Sequence, residues 1–321
     1  MPSINLAKIK SMHPDVILPP DPVYAEDYSD WVRYGKLEAR RSRVAFVAIC
    51  RNAVPFVGLT MSRVTELGNH FKEWKCFVYE NDSTDGTKEF LQSLGPPFYV
   101  STNTHDRPHL NSTKSNERTM ALAEYRTKCQ EWVRDNCQGY DYVIVFDTDP
   151  WGGWSNDGVL NSIGHMSSAG YKNAAAFASY SVCECSISGM DGPQIAGYDS
   201  WAARFNHWEE RHMLWFHLWH PPVGSQPVKF RSAFGQLCVY RQQSYLSGVY
   251  DGRDCEHVGF HRSIAAAGGG DLYLNPAQRV VSFWALRQDE NSGDDLHRDV
   301  HSDVDGGGAD SDNRGNSGNL G

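Results

Sequence analysis

The sequence predicts an α/β protein: a mostly parallel sheet with helices on both faces, continued by a mixed C-terminal half. Two observations carry this. Apolar, β-branched runs at 43–50, 75–80 and 142–146 alternate with segments of helical apolar spacing, the order that gives parallel strands joined by crossover helices. Each run also exits into a polar cluster, Cys50-Arg51-Asn52, Glu80-Asn81-Asp82 and Asp147-Thr148-Asp149. In open sheets of this kind, ligands bind at the carboxyl ends of the strands.

In chain order, residues 1–40 are polar and Pro-containing, with Pro19-Pro20-Asp21-Pro22 as a spacer, and read as an arm that wraps the domain. Arg43–Cys50 is a first buried strand. Leu59, Arg63, Val64 and Leu67 then follow at helical spacing. Lys75–Glu80 is a second strand, and 81–87 supplies turn residues and an N-cap for a helix over Lys88–Leu94. Pro96–Ser101 reads as a third strand. A long helix over 116–137, with Met120, Leu122, Ala123 and Cys129 apolar, leads into the strand Tyr142–Phe146. Beyond it, strands are expected at Ala174–Tyr180, Phe234–Tyr240, Leu272–Leu274 and Val280–Trp284, and a turn into a helix over Tyr198–Arg204. Residues 288–321 are Asp-, Gly-, Ser- and Asn-rich, too polar to bury a core, and are expected to be a disordered tail. No internal repeat is present.

With 321 residues and 40% hydrophobic content the chain can build one large core. A net charge of −9 gives no footprint for a polyanion as general partner, although the tail exaggerates it and DNA is not excluded. The eight cysteines form no Cys-x-x-Cys pair, and several sit in apolar runs, which suits a reduced state. No leader-like segment and no apolar run of membrane-spanning length occurs. The expectation is a soluble cytoplasmic protein.

Asp147 and Asp149, at i and i+2 beyond a strand, sit on one side of the chain, and two like charges so placed raise each other's pKa. A divalent cation bridging them to a ligand's phosphates removes that cost. The plain alternative is a solvated Asp-Thr-Asp-Pro turn.

Three motifs in order carry a resemblance. Val78–Thr87 resembles the acidic nucleotide loop of GT-A glycosyltransferases, Asp147-Thr148-Asp149 their metal-binding Asp-x-Asp, and Cys255–Arg262 their late acidic motif, a carboxylate before a helix with an Arg six residues on. Asn275-Pro276 falls where that family often closes the following strand. The resemblance spans roughly 43–284. Met120–Arg126, Tyr198–Arg204 and Ser232–Gly235 are also similar to the capsule-associated α-mannosyltransferase-like branch.

The resemblance implies a GT-A-like (Rossmann-like) domain over 41–287, with a nucleotide-binding half to 150 and an acceptor and catalytic half from 151. It implies a nucleoside-diphosphate sugar as donor, Mn²⁺ or Mg²⁺ as cofactor, and a hydroxyl on a glycan, a protein or a modified nucleobase as acceptor. Cys50, Arg51, Asn52, Glu80, Asn81, Asp82, Asp147 and Thr148 would then line the nucleotide site, and Asp147 and Asp149 would hold the metal. Glu256 is the expected catalytic carboxylate, with Asp254 its competitor and a helix cap as the alternative role for Asp254. The family's third metal ligand is often a histidine after the next strand, where Ser282-Phe283-Trp284 stands. His257 and His261, one helical turn apart, are the substitutes, ahead of His297 and His301 in the tail. Trp151 and Trp154 are candidates for stacking on a sugar, and Asp199 and Arg204 for bonding its hydroxyls. The 205–220 segment, with four histidines among aromatics, completes no zinc pattern and reads as groove or core. Two other functions compete: a sugar-nucleotide-forming nucleotidyltransferase, against which the lack of a Gly-rich triphosphate loop near the first strand counts, and a noncatalytic carbohydrate-binding protein.

Overall fold

The computed structural model describes residues 11–110, 114–185, 194–211 and 214–282. The tail at 288–321, Phe283, Trp284, His297 and His301 lie outside them. The described strands are β1 (Arg43–Cys50), β2 (Glu73–Asn81), β3 (Phe98–Asn103), β4 (Tyr142–Phe146), β5 (Gly153–Trp154), β6 (Ala174–Cys185), β7 (Gln194–Gly197), β8 (Val228–Phe230), β9 (Leu237–Arg241) and β10 (Asp271–Val281). They form one sheet in the order β3-β2-β1-β4-β9-β6-β10-β5, with β7 on β6 and β8 on β10. β1 to β4 are mutually parallel where they pair, while β9 runs antiparallel between β4 and β6. The α/β expectation holds, parallel in the first half and mixed in the second.

Alternation along β1 explains the double covering. Ala45 and Val47 face a core layer that holds Ala123, Cys129 and Val133 of the Asn116–Asn136 helix. Val44, Phe46 and Ala48 face the other layer, with Met61, Val64 and Leu67 of the Val57–Gly68 helix and Val159, Leu160 and Ile163 of the Asn156–Ser167 helix.

The N-terminal segment is more than an arm. Its Ala25–Ala39 helix lies on the Asn156–Ser167 helix at backbone contact, because Gly35 meets the Leu160 carbonyl and Gly164 the Trp31 carbonyl. A Cβ at Gly35 would overlap backbone that has no side chain to move aside. Gly35→Ala is expected to cost about 1–3 kcal/mol, read as a lower denaturation midpoint at unchanged m.

The sequence misplaces three elements. No helix forms over Tyr198–Arg204; Asp199 there has φ +71°, and Arg204 bridges Ser232. The strands expected at 272–274 and from 280 are one strand, β10, whose register against β6 jumps from Asn275↔Ser179 to Arg279↔Tyr180. Asn275-Pro276 therefore opens a bulge inside the strand instead of closing it, and buried Asn275 is held by Asn161 and Ser162.

Arg279, fully buried, ties that strand to the N-terminal segment. It donates to the Leu18 carbonyl, to Asp15 (2.7 Å), to Tyr28 (2.9 Å) and to Ser155 (2.9 Å).

Candidate active site

β1, β2 and β4 are parallel neighbours, so their carboxyl ends open together. They meet loops at 198–201, 234–236 and 255–257 around a cleft of about 320 Å³, within the size range of small-molecule sites. Cys50, Arg51, Asn52, Asn81, Asp147, Thr148, Asp149, Asp199, Glu256 and His257 all line it. Glu256 is the first residue of the Glu256–Ala266 helix, and only 4% of its surface is exposed.

One wall is the Asn116–Asn136 helix. Ser115 caps it, accepting the Arg118 N–H. Arg118, Ala121, Leu122, Tyr125 and Arg126 recur at i, i+3, i+4, i+7 and i+8 and form one face toward the cleft. Arg126 is the electrostatic hub. Its Nη2 donates to Asp147 Oδ1 at 2.8 Å, its Nε lies 4.0 Å from Glu256 Oε1, and its guanidinium covers the Phe234 ring at 5.4 Å. Its Nε and Nη1 are buried without a hydrogen-bond partner.

Three carboxylates, Asp147, Asp149 and Glu256, feel that cation, and a fourth, Asp199, lines the cleft without it. Burial pushes the Glu256 and Asp147 carboxyls up, and Arg126 pulls both back. Asp149, whose residue surface is open to the cleft, is pushed up to about 6 by reduced hydration and by the charge of Asp147. Asp199 reaches about 7 through burial, against which the Gly235 and Ala202 N–H groups act. Both values lie above those of the unfolded chain, so the native state binds these protons more tightly. Their stabilising contribution is complete below about pH 4 and is withdrawn as pH rises through about 6 to 7.

The oxygens of Asp147 and Asp149 are the hard donors that Mn²⁺ or Mg²⁺ takes. A third protein ligand is not assembled: among the described residues, no group of three or more His, Cys, Asp or Glu side chains is arranged to hold a metal. His261 is committed elsewhere, its Nδ1 to Ser232 (2.8 Å) and its Nε2 to Tyr240 (2.7 Å), which corrects its expected role. His257 lines the cleft with both ring nitrogens unbonded; it stacks on Phe234 at 3.7 Å, and Nε2 is 3.4 Å from Glu256 Oε1. Burial first, and Arg126 second, hold it neutral.

Several expected site residues are instead structural. Glu80 accepts the Ser83 N–H and Asp82 those of His105 and Asp106, with Asp82 at φ +52°, so both shape the loop that presents Asn81. Arg51 donates to the Arg107 and Pro108 carbonyls along the cleft rim. Burial pushes the Cys50 thiol up to about 12, and Thr148 donates to its sulfur, so Cys50 is a neutral wall. Trp154 is 1% exposed and packs on Phe146, while Trp151 stacks on Phe56 at 5.0 Å. Neither lines the cleft, because the β5–β10 pairing draws this segment into the core. Arg204, 1% exposed, donates to the Trp201, Ala203 and Trp208 carbonyls and pairs with Asp254 at 2.9 Å. Neither Arg204 nor Asp254 lines the cleft, so the pair fixes loops instead of bonding sugar or acting in catalysis. In the 205–220 segment, His217 bonds the Gly197 carbonyl and His220 the Tyr180 hydroxyl, among packed aromatic rings.

Sequence reasoning gave no site role to Arg126, Arg118, Trp201 or Gln236, all of which line the cleft. The signal for Arg126 was there: a cation in the same helical stripe as Leu122, Cys129 and Val133.

Among the described residues, no helix is long and apolar enough to cross a membrane. No protein-family model and no curated protein matches the chain. Solved structures similar to it include GalNAc-T7, crystallised with UDP, GalNAc and Mn²⁺, at 12% identity over 80% of this chain and 46% of that one, with TM-score 0.46. The S. aureus TarS 1–349 structure is similar at 9% identity over 75% of this chain and 60% of that one, TM-score 0.42. The mannosyltransferase PcManGT from Pyrobaculum calidifontis, in complex with GDP-Man and Mn²⁺, is similar at 13% identity over 81% and 65%, TM-score 0.41. The chain spans roughly half to two thirds of the length of these structures.

Proposed function

We propose that this protein is a metal-dependent glycosyltransferase moving a hexose from a nucleoside-diphosphate sugar to an acceptor hydroxyl. The observation that supports it is the pairing, in one cleft at the strand ends, of the Asp147/Asp149 carboxylates with a separate buried carboxylate, Glu256, around the Arg126 guanidinium. A nucleotidyltransferase or a lectin has no need of that division.

Asp147 and Asp149 would hold the cation, with phosphate oxygens and water completing its shell. Bound there, it supplies Lewis-acid stabilisation of the departing diphosphate. Asn81, Arg51 and Asn52 line the cleft together and would meet the nucleotide, with Arg51 also bracing the rim. In an inverting reaction, Glu256 takes the proton of the acceptor hydroxyl as that oxygen bonds to the anomeric carbon. The bond from that carbon to the phosphate oxygen breaks, and the nucleoside diphosphate leaves with the electron pair. The raised carboxyl of Glu256 suits a base that works close to neutral pH.

Incubation with UDP- and GDP-hexoses and Mn²⁺, without acceptor, should release nucleoside diphosphate. A folded protein silent across the panel overturns the reading. In Asp149→Asn that release falls by at least about 100-fold, while the thermal midpoint at pH 8 stays level or rises because a repelled charge is gone. Wild-type Mn²⁺ binding should weaken as pH drops through about 6, where Asp149 takes up its proton. A midpoint clearly lowered in Asp149→Asn would contradict the electrostatic account.

A further inference from the structure

Four arginines line the cleft, and three are engaged by the protein. Arg51 binds carbonyls, Arg107 pairs with Glu124 at 2.7 Å, and Arg126 pairs with Asp147. Arg118 differs. Its guanidinium makes no ion pair among the described residues and lies over the Trp201 ring at 4.9 Å, with Trp201 itself lining the cleft. Arg118 and Arg126 share one face of the helix, eight residues or about 12 Å apart along its axis. That spacing sets Arg118 about two helical turns toward the helix N-terminus from Arg126.

A guanidinium backed by an aromatic ring is pre-oriented, and its donor fork matches a carboxylate or a phosphate. Deep in the cleft the cation proposed at Asp147 and Asp149 serves the diphosphate, which leaves the outer arginine for the other substrate. We infer that Arg118, seated on Trp201, binds an anionic group of the acceptor, a sugar carboxylate or sugar phosphate near the accepting hydroxyl. The inference rests on the transferase reading and names the acceptor class within it. The net charge of −9 does not oppose it, because one oriented guanidinium recognises a local anion without a basic surface.

The test uses matched acceptors, an aryl glucuronide against the aryl glucoside and a hexose phosphate against the free hexose, with wild type, Arg118→Gln and Arg118→Lys. Transfer and direct equilibrium binding of each acceptor are both measured, together with acceptor-free donor hydrolysis. At least one anionic member should exceed its neutral twin by about tenfold in wild type, and Arg118→Gln should reduce that ratio to near one. Acceptor-free donor hydrolysis should change by less than that ratio does, and the effect cancels between the twins because both use the same donor. Arg118→Lys should keep more of a phosphate preference than of a carboxylate one, since lysine acts as a point charge. The glucuronide and phosphate arms identify which anion is used. Equal binding of charged and neutral twins by wild type, or a preference that survives Arg118→Gln, overturns the inference. Loss of donor hydrolysis in wild type would overturn the transferase reading instead, and the binding arm still decides the role of Arg118.

Discussion

Glu256→Gln is expected to lower turnover by about 100- to 10,000-fold while donor affinity stays within a few-fold of wild type. The substitution keeps size and shape at a site 4% exposed and removes the carboxylate's charge together with its capacity to take a proton. Arg126 keeps its hydrogen bond to Asp147, so the cleft keeps its form. Asp199, a half-buried acid that lines the cleft without Arg126 as its partner, is held by the Gly235 and Ala202 N–H groups. Asp199→Asn should therefore act mainly on substrate affinity. Turnover of Glu256→Gln within about fivefold of wild type, combined with collapse of Asp199→Asn, would move the base role to Asp199.

Arg126→Met is expected to give the largest loss of stability. It leaves Asp147 and Glu256 in a buried site without their cation, a change worth about 3–5 kcal/mol and a fall in thermal midpoint on the order of 10 °C. The deficit has a sign in pH. Without Arg126 both carboxyls rise further above their unfolded values, so protonation relieves the strain and the deficit is smaller at pH 5 than at pH 8. Arg126→Lys keeps a charge and should lose less than half as much. Equal losses in Met and Lys at both pH values would mean that the side chain matters for packing over Phe234 and not for charge.

The first half of the fold was legible because its inner strands β1 and β4 are buried on both faces, and unbroken apolar runs such as Val44–Ile49 have one reading. The cleft followed from it: once the parallel order was read, the three polar exits had to converge. The second half was less legible because its backbone is set by contacts distant in sequence. Asp199 adopts its positive φ with the Gly235 N–H on its carboxylate, and β10 bulges where Asn275 is drawn to Asn161 and Ser162. No local periodicity records either contact. Trp154 misled for a related reason. It follows the acidic motif closely in sequence, yet pairing of β5 with Val280 and Val281 rotates it into the core. Arg204 and Asp254, fifty residues apart, could be recognised as partners only in space.

Arg279 also orders events in time. On a ribosome, the helices at 14–17 and 25–39 emerge long before β10, and the Leu18 carbonyl and the Asp15 carboxylate wait for a partner some 260 residues away. Until that arginine arrives, the slot between β6 and β5 stands open to any stray strand. The strand that fastens the N-terminal segment is thus also the one whose late synthesis keeps the sheet open.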